Sequence, residues 1–335
     1  LITDHHLPGA MLPDAEANVN PNLAGSEFAS PNLAGVGVAF YLMAALGRAL
    51  ESDGRAGAAR VPAKYLDLVA LGPVADVVRL DHNNRILVAQ GLKRIRAGHA
   101  VPGIAALFSQ AGRSIARAVS TDLGFAAGPR LNAAGRLEDM SVGIECLLTD
   151  DQQIADQYAG ALDGINRERK DIEARMREEA FAYVDAMDAT RLPACVCLYD
   201  EAWHQGIVGL IAARVRERCD RPVIAFAKES EGLLKGSARS IPGVHVRDLL
   251  EAVSTEAPGL ITRFGGHAMA AGLTLETQHF ERFSTLASEC LSQRYPDADF
   301  SGTVMTDGPL PADAINLPFA RRLREAGPWG AGFPE

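Results

Sequence analysis

Asp4, His5 and His6 follow one another directly after the apolar start of the chain and are succeeded by a Pro8-Gly9 turn, the pattern of a buried strand emptying into a loop. Two imidazoles and a carboxylate at a strand end suit a divalent cation: one ring nitrogen ligates while an acid orients a ring. Neighbours on a strand point to opposite faces, so both histidines serve one ion only if the backbone bends there. The better assignment makes one histidine a ligand and sets the other beside an acid or phosphate; a solvated histidine pair is the alternative. Asp76 stands in an apolar run, between Val74-Ala75 and Val77-Val78. An unpaired buried carboxylate costs several kcal/mol, so Asp76 either ligates a metal or caps a helix N-terminus. The segment alone leaves both open.

Three further stretches suit anions. Arg130, Asn132 and Arg136 lie among small residues, in a stretch without acids from 124 to 137. Arginine grips phosphate through a planar fork, and Gly and Ala admit a close backbone; a surface loop with incidental arginines is the alternative. Lys235, Ser237 and Arg239 alternate along a strand-like segment and share one face. Gly265-Gly266, followed by His267 and a run of small residues, reads as a turn opening a helix whose free N–H groups attract phosphate.

These residues need elements to hold them. The chain has 335 residues, enough at about 150 per domain for two domains and part of a third. With 47% hydrophobic and 22% charged residues it is neither disordered, collagenous nor a coiled coil alone. Residues 1–150 mix helical and strand patterns, the mark of an α/β domain. Helices are expected over 35–50, in a helix-to-turn segment ending near Asp76, and over 85–98 with Ile86, Leu87, Leu92 and Ile95 on its apolar side. From 150 to 188, apolar residues recur at three- and four-residue steps. That predicts one bridging helix of roughly 55 Å at 1.5 Å per residue, or two broken near Gly160 and Gly164. Strand, helix and strand then follow in residues 193–229, a second α/β unit. The stretch from about 300 reads as a strand and the start of a further domain.

Net charge is 33 − 42 = −9, so any nucleic-acid partner must be met by local cations, in residues 85–136 and 214–247. Aromatic residues make up only 6%, leaving Trp203, Phe125 and Tyr199 as candidates for base stacking. The five cysteines form no CxxC pair, as expected of reduced thiols in the cytoplasm. No apolar run nears the roughly 18 residues of a membrane span, and no signal peptide is seen. Both ends read as cut from a longer protein.

In order, DHH, GPVADVV, RLDHNNRILVAQGL, GPRLNAAGRLEDM, the long helix, WHQGIVGLIAARVRER, RPVIAF, KGSARS and FGGHAMAAG resemble the DHH phosphoesterase superfamily, and within it the exonucleases specific for single-stranded DNA. The resemblance spans essentially the whole chain. It implies a DHH-type parallel-sheet α/β domain over 1–150, a connecting helix over 151–190, a second α/β DHH-associated domain over 191–297 and the start of an OB-like β domain over 298–335.

The activity the resemblance implies is 5′→3′ degradation of single-stranded DNA in repair and recombination, by two Mn²⁺ or Mg²⁺ ions. His5 and Asp76 would then be metal ligands, with Asp4 orienting His5 and His6 beside the scissile phosphate. Arg130, Asn132 and Arg136 would contact phosphates, while Ser237, Arg239, Gly265, Gly266 and His267 would line the groove for the DNA end. The family's earlier metal carboxylates, an Asp-x-Asp and a further Asp ahead of DHH, have no counterpart here, so this stretch alone is expected to be catalytically incomplete. A helicase and a single-strand-binding protein are the implied partners of a monomer. Nanoribonucleases and phosphoadenosine phosphatases share the motifs, and a non-catalytic strand-binding relative would keep the fold. The persistence of both DHH and Asp76 argues against the last.

Overall fold

A computed structural model of the chain describes residues 1–9, 11–187, 192–303 and 306–334. They form two units, Leu1–Asn166 with Pro309–Glu335, and Arg167–Gly308. In the first unit, β1 (Ile2–Thr3) and β2 (Asn18–Val19) pair in parallel, and helices supply the rest of the fold. These are α1 (Gly35–Ser52), α2 (Leu66–Ala75), α3 (His82–Arg96), α4 (Pro102–Gln110), the single turn α5 (Ser120–Asp122), α6 (Gly128–Leu137) and α7 (Ser141–Leu148).

Local signals account for their ends. Asp81 caps α3, its Oδ1 accepting the Asn84 N–H at 2.9 Å, and Lys93, Arg94 and Arg96 complement the negative end of the same helix. Pro102 opens α4, while the fully buried Asp67 of α2 accepts the Val101 N–H at 2.7 Å and so caps α4 from another helix. The apolar face of α3 is Leu87, Val88, Leu92 and Ile95; Ile86, expected there, is 47% exposed.

The long helix α8 (Gln152–Asp185) runs unbroken through Gly160 and Gly164, and the division between the units falls within it. Its buried positions are Ala155, Ala159, Leu162, Asp163 and Asn166, then Glu173, Met176, Ala180 and Val184. Ile154 and Tyr183, two of the apolar residues that recur along it, are exposed, and small residues such as Ala155, Ala159 and Ala180 are buried in their place. Residues 188–190, at the end of the expected connecting helix, lie outside those described.

In the second unit the order is β3 (Val196–Tyr199), α9 (Val208–Cys219), β4 (Val223–Ser230), β5 (Leu233–Arg239), α10 (Val246–Glu256), β6 (Arg263–Gly266), β7 (Ala270–Glu276) and α11 (Phe280–Arg294). The sheet runs β3-β4-β5-β7-β6, with β3 and β4 parallel around α9 and the remaining pairs antiparallel. Phe226, Leu273 and Leu275 pack with Leu249, Leu250, Phe283 and Leu291 of α10 and α11. Cys195 and Cys197 share that face, as their alternation predicts.

Two expectations are corrected here. The segment after Gly265-Gly266 opens no helix: β6 ends at Gly266, His267 N–H donates to the Ala270 carbonyl at 2.8 Å, and the chain returns as β7. The run of small residues favours a helix locally, but the alternation Ala271, Leu273, Leu275 buries as a strand beside β5, and tertiary pairing prevails. In the tail, no β-ladder forms among the described residues of 298–335 beyond one bridge, Gly330 with Phe333; Val304 and Met305 lie outside those described. Instead α12 (Leu317–Ala326) and the residues after it join the first unit. Leu80 N–H donates to the Ala331 carbonyl (2.7 Å), the Ser120 hydroxyl to the Trp329 carbonyl (2.7 Å), and the Arg85 guanidinium lies 3.6 Å over the Phe333 ring. Prolines at 309–334 limit ladder formation, and partly covering Trp329 and Phe333 gives the tail another way to pack.

Gly91 of α3 is where α2 approaches most closely: a Cβ there would collide with the Leu66 carbonyl and the Ala70 side chain. Gly91→Ala should therefore destabilise the first unit by about 1–3 kcal/mol despite its better helix propensity, read as a lowered midpoint in chemical denaturation.

Candidate active site

The chain leaves β1 at Thr3, so Asp4, His5 and His6 are free of the strand's alternation. Both imidazoles come to one side, their ring centres 4.3 Å apart. The bend that two histidines at one site require is thus present. Two asparagines hold it: Asn22 Nδ2 donates to the His5 carbonyl (2.7 Å) and to the Pro31 carbonyl (3.2 Å), and Asn20 Nδ2 donates to the His6 carbonyl (2.8 Å). Asn20 Oδ1 in turn accepts the Asn22 N–H at 2.9 Å, an Asx turn. Sequence reasoning missed both residues; the Asn20-Pro21-Asn22 turn signal pointed to them.

The loop at 30–32 is fastened from behind. Ser30 and Asn32 donate to Asp81 Oδ2 at 2.7 and 3.1 Å, and Asn84 Nδ2 donates to the Asn32 carbonyl at 2.7 Å. Burial alone would raise the Asp81 carboxyl, but the hydrogen bonds from Asn84, Ser30 and Asn32 outweigh it and hold the group below its usual range.

Asp76 arrives at the other end of α2. It is the C-cap, not the N-cap: Val77 N–H donates to the Val74 carbonyl (3.3 Å) and Val78 N–H to the Pro73 carbonyl (3.1 Å), the two bonds of a Schellman turn. The left-handed position such a turn demands is filled by Val77, at φ 58°, where glycine is usual. Gly72-Pro73, a pair that ordinarily breaks a helix, lies inside α2. Nor is the carboxylate buried; its side chain is 49% exposed.

His5 Nε2 stands 3.6 Å from Asp76 Oδ2, with the imidazole mostly covered. Two ligands each about 2.1 Å from one ion can lie up to about 4 Å apart, so this pair fits a shared divalent cation. Among the described residues, no group of three or more His, Cys, Asp and Glu side chains is gathered in metal-binding array. Asp4 does not orient the His5 ring: its Oδ1 accepts the His5 N–H (2.7 Å), the His6 N–H (3.2 Å) and His6 Nδ1 (2.8 Å). Asp4 therefore positions His6, leaving Nε2 of that exposed ring outward.

The GPRLNAAGR stretch is α6, not a loop, and its polar side chains diverge. Arg130 is turned inward: Nε and Nη2 meet Asp163 Oδ1 at 2.9 and 2.7 Å, and Nη1 donates to the Ala126 carbonyl at 2.7 Å. This occupied, nearly buried fork corrects the expectation of a phosphate contact. Asn132 donates to the Ala75 carbonyl (3.2 Å), satisfying the end of α2 beside Asp76, and Arg136 follows one turn later on the same face of α6.

In the second unit, Lys235, Ser237 and Arg239 share one face of β5, as read from the sequence, while Leu234, Gly236 and Ala238 are buried on the other. Arg239 Nη1 donates to Ser237 Oγ at 3.0 Å. A Cβ at Gly209, in the first turn of α9, would lie 2.8 Å from Arg239 and 3.0 Å from Ser237, so the positive helix start meets both. Ser237 is level with Gly272, and Gly272 with Gly265, so the sheet beside it carries no side chains. Most other cations of 214–247 are taken: Arg214 and Arg216 by Glu217, Arg218 by Asp185, Lys228 by Glu201, Arg247 by Glu251. Trp203 is buried and donates to Glu179, and Tyr199 packs on Phe280, so neither offers a stacking face; Phe125 is 80% exposed.

The DHH family, N-terminal domain model matches residues 1–73, and the DHHA1 domain model matches residues 192–293. The crystal structure of exonuclease RecJ bound to manganese is 31% identical, with a TM-score of 0.67 over 88% of this chain and 69% of that one. The chain belongs to the RecJ family. RecJ from Thermus thermophilus in complex with Mn²⁺ superposes with a TM-score of 0.83 at 31% identity, over 99% of this chain and 47% of that one. The single-stranded-DNA-specific exonucleases RecJ of Dickeya dadantii and Escherichia coli are 52% and 50% identical across the whole chain. The chain spans 59% of the length of these two curated relatives. No helix among the described residues is long and apolar enough to cross a membrane.

Hydrogen bonds from His6 hold the Asp4 carboxyl down at about 2, from an ordinary 3.8. Folding thus favours its ionised form, and the stabilisation is complete above pH 3.8 and lost as pH falls through about 2. Carboxyl chemical shifts followed by NMR should give an Asp4 midpoint near 2, moving up toward 3.8 in His6→Ala.

Proposed function

We propose that this chain carries a metal-dependent phosphodiesterase that removes nucleotides from single-stranded DNA in the 5′→3′ direction. The convergence of His5 and Asp76, from the exit of β1 and the C-terminal turn of α2, carries this reading. Mn²⁺ or Mg²⁺ is the group that one imidazole nitrogen and one carboxylate oxygen at a half-open rim would hold. Water, substrate oxygens and further carboxylates would complete the coordination of two ions. When bound, such a group would supply Lewis-acid chemistry for phosphodiester hydrolysis.

The chain's own side chains position the reacting groups. Asn20 and Asn22 fix the loop that presents His5 and His6. Asp4 engages His6 Nδ1, so that Nε2 addresses the scissile phosphate. Asn132 secures the end of α2 behind Asp76, and Arg136 supplies positive charge from the same helix face. In the second unit, Ser237 and Arg239, with the start of α9 and the bare Gly265-Gly266 hairpin leading to His267, form an anion-receptive surface for the strand's end. The names of the curated relatives support this substrate. We place the protein in the cytoplasm as a monomer in repair and recombination, with a helicase and a single-strand-binding protein as partners.

In the intact protein, Asp76→Ala should lower Mn²⁺-dependent nucleotide release from a long single strand by more than roughly a hundredfold and leave strand binding nearly unchanged. Undiminished release by the variant would remove the proposed role of Asp76. Preference for a dinucleotide over the long strand would instead favour the nanoribonuclease branch.

A further inference from the structure

Beside the C-terminal turn of α2 the first unit holds a groove of about 760 Å³, walled by Val74, Val77, Phe125, Trp329 and Pro334. Its polar edge is slight, and two of its walls stand unusually clear of the protein: Phe125 is 80% exposed and Val77 is 71% exposed. Exposure of this kind has a local cause in each case. Phe125 sits in a π-turn, Leu123–Ala127, with more residues per turn than an α-helix, on the side away from the buried Leu123, Ala126 and Ala127. Val77 is swung outward by its left-handed backbone, a conformation costly for a β-branched residue and most often kept where it serves a site. Val74 and Val77 flank Asp76 in the chain, so the groove runs beside the turn that carries the proposed metal ligand.

The groove also has a continuation. Ser120, Thr121 and Trp329 line both it and a second cavity, of about 540 Å³, whose lining includes three arginines, Arg96, Arg117 and Arg324, against one acid, Glu325. Apolar and aromatic surface joined to cations is the combination that unpaired bases on a charged backbone require. A polypeptide held by apolar contacts alone would have no use for the arginines.

We propose that this groove is a nucleobase subsite, in which the Phe125 ring stacks on a base of the single strand, Val77 closes the opposite side, and Arg96, Arg117 and Arg324 take backbone phosphates farther along. The assignment rests on the phosphodiesterase reading and specifies how that site grips its substrate. Stacking is blind to base identity, so the subsite confers preference for unpaired strands without preference for sequence.

The test measures binding of the intact protein to an oligothymidylate and to the same backbone made of abasic residues, with a chelator present so that no strand is consumed. Wild type should favour the oligothymidylate about tenfold. Phe125→Ala should lose most of that preference by weakening thymidylate binding, with abasic binding unchanged, and Phe125→Trp should restore it. An unchanged melting temperature is expected, because the ring is exposed, and the Trp variant keeps the test decisive if Ala perturbs folding. Equal affinity of wild type for both strands, as for a groove that takes a polypeptide, would overturn the subsite, as would an undiminished preference in Phe125→Ala. If Asp76→Ala abolishes cleavage while Phe125→Ala behaves as wild type, the subsite alone falls; cleavage surviving Asp76→Ala removes the role assigned to Asp76.

Discussion

The approach of His5 Nε2 to Asp76 Oδ2 is the contact on which the rest of the first unit is organised. Neither residue is positioned by its own element's interior; each sits just beyond an element's end. His5 follows a two-residue strand and is held by Asn22, while Asp76 closes α2 through a Schellman turn that tolerates a left-handed valine. Two irregular backbone segments are costly to order, and the structure offsets that cost with layered hydrogen bonds. Asn22 joins the histidine loop to Pro31, Ser30 and Asn32 join that loop to Asp81 and Asn84, and Asn132 closes the carbonyl end of α2. A site made of element ends stays open to a bound group, and its precision comes from the shell behind it.

The second unit reaches a receptive surface by a different route. A regular sheet places Ser237 and Arg239 on one face by alternation alone, and α9 brings its positive start to them because Gly209 has no side chain. The neighbouring hairpin adds one bare glycine row, Gly265 beside Gly272, and not a second helix end. Close approach of a ligand's backbone is thus built into the composition of β6 and β7.

Much of this was legible in the sequence where one local rule dominates. Helices α1, α3 and α9 and the alternation of β5 follow from periodicity, whereas periodicity left open whether α8 is one helix or two. The partnership of His5 with Asp76 was not readable from either segment alone, since a solvated histidine pair and a helix cap were open alternatives; the ordered motifs of the family supplied it. Other readings failed where distant contacts decide. The run after Gly266 has helix-forming residues but pairs with β5; Arg130 finds Asp163 across thirty-three positions; and the proline-rich tail finds the first unit's Ser120 and Leu80. Each of those partners is invisible to a local window.

The ion pairing of the second unit carries a consequence for encounter. With Arg218, Lys228 and Arg247 each matched to an acid, and the chain as a whole at −9, little positive field extends into solvent to draw in a polyanion from afar. Capture must then be governed by short-range fit after contact, so the lifetime of a complex, and not the speed of diffusional approach, is where affinity for different ligands is set.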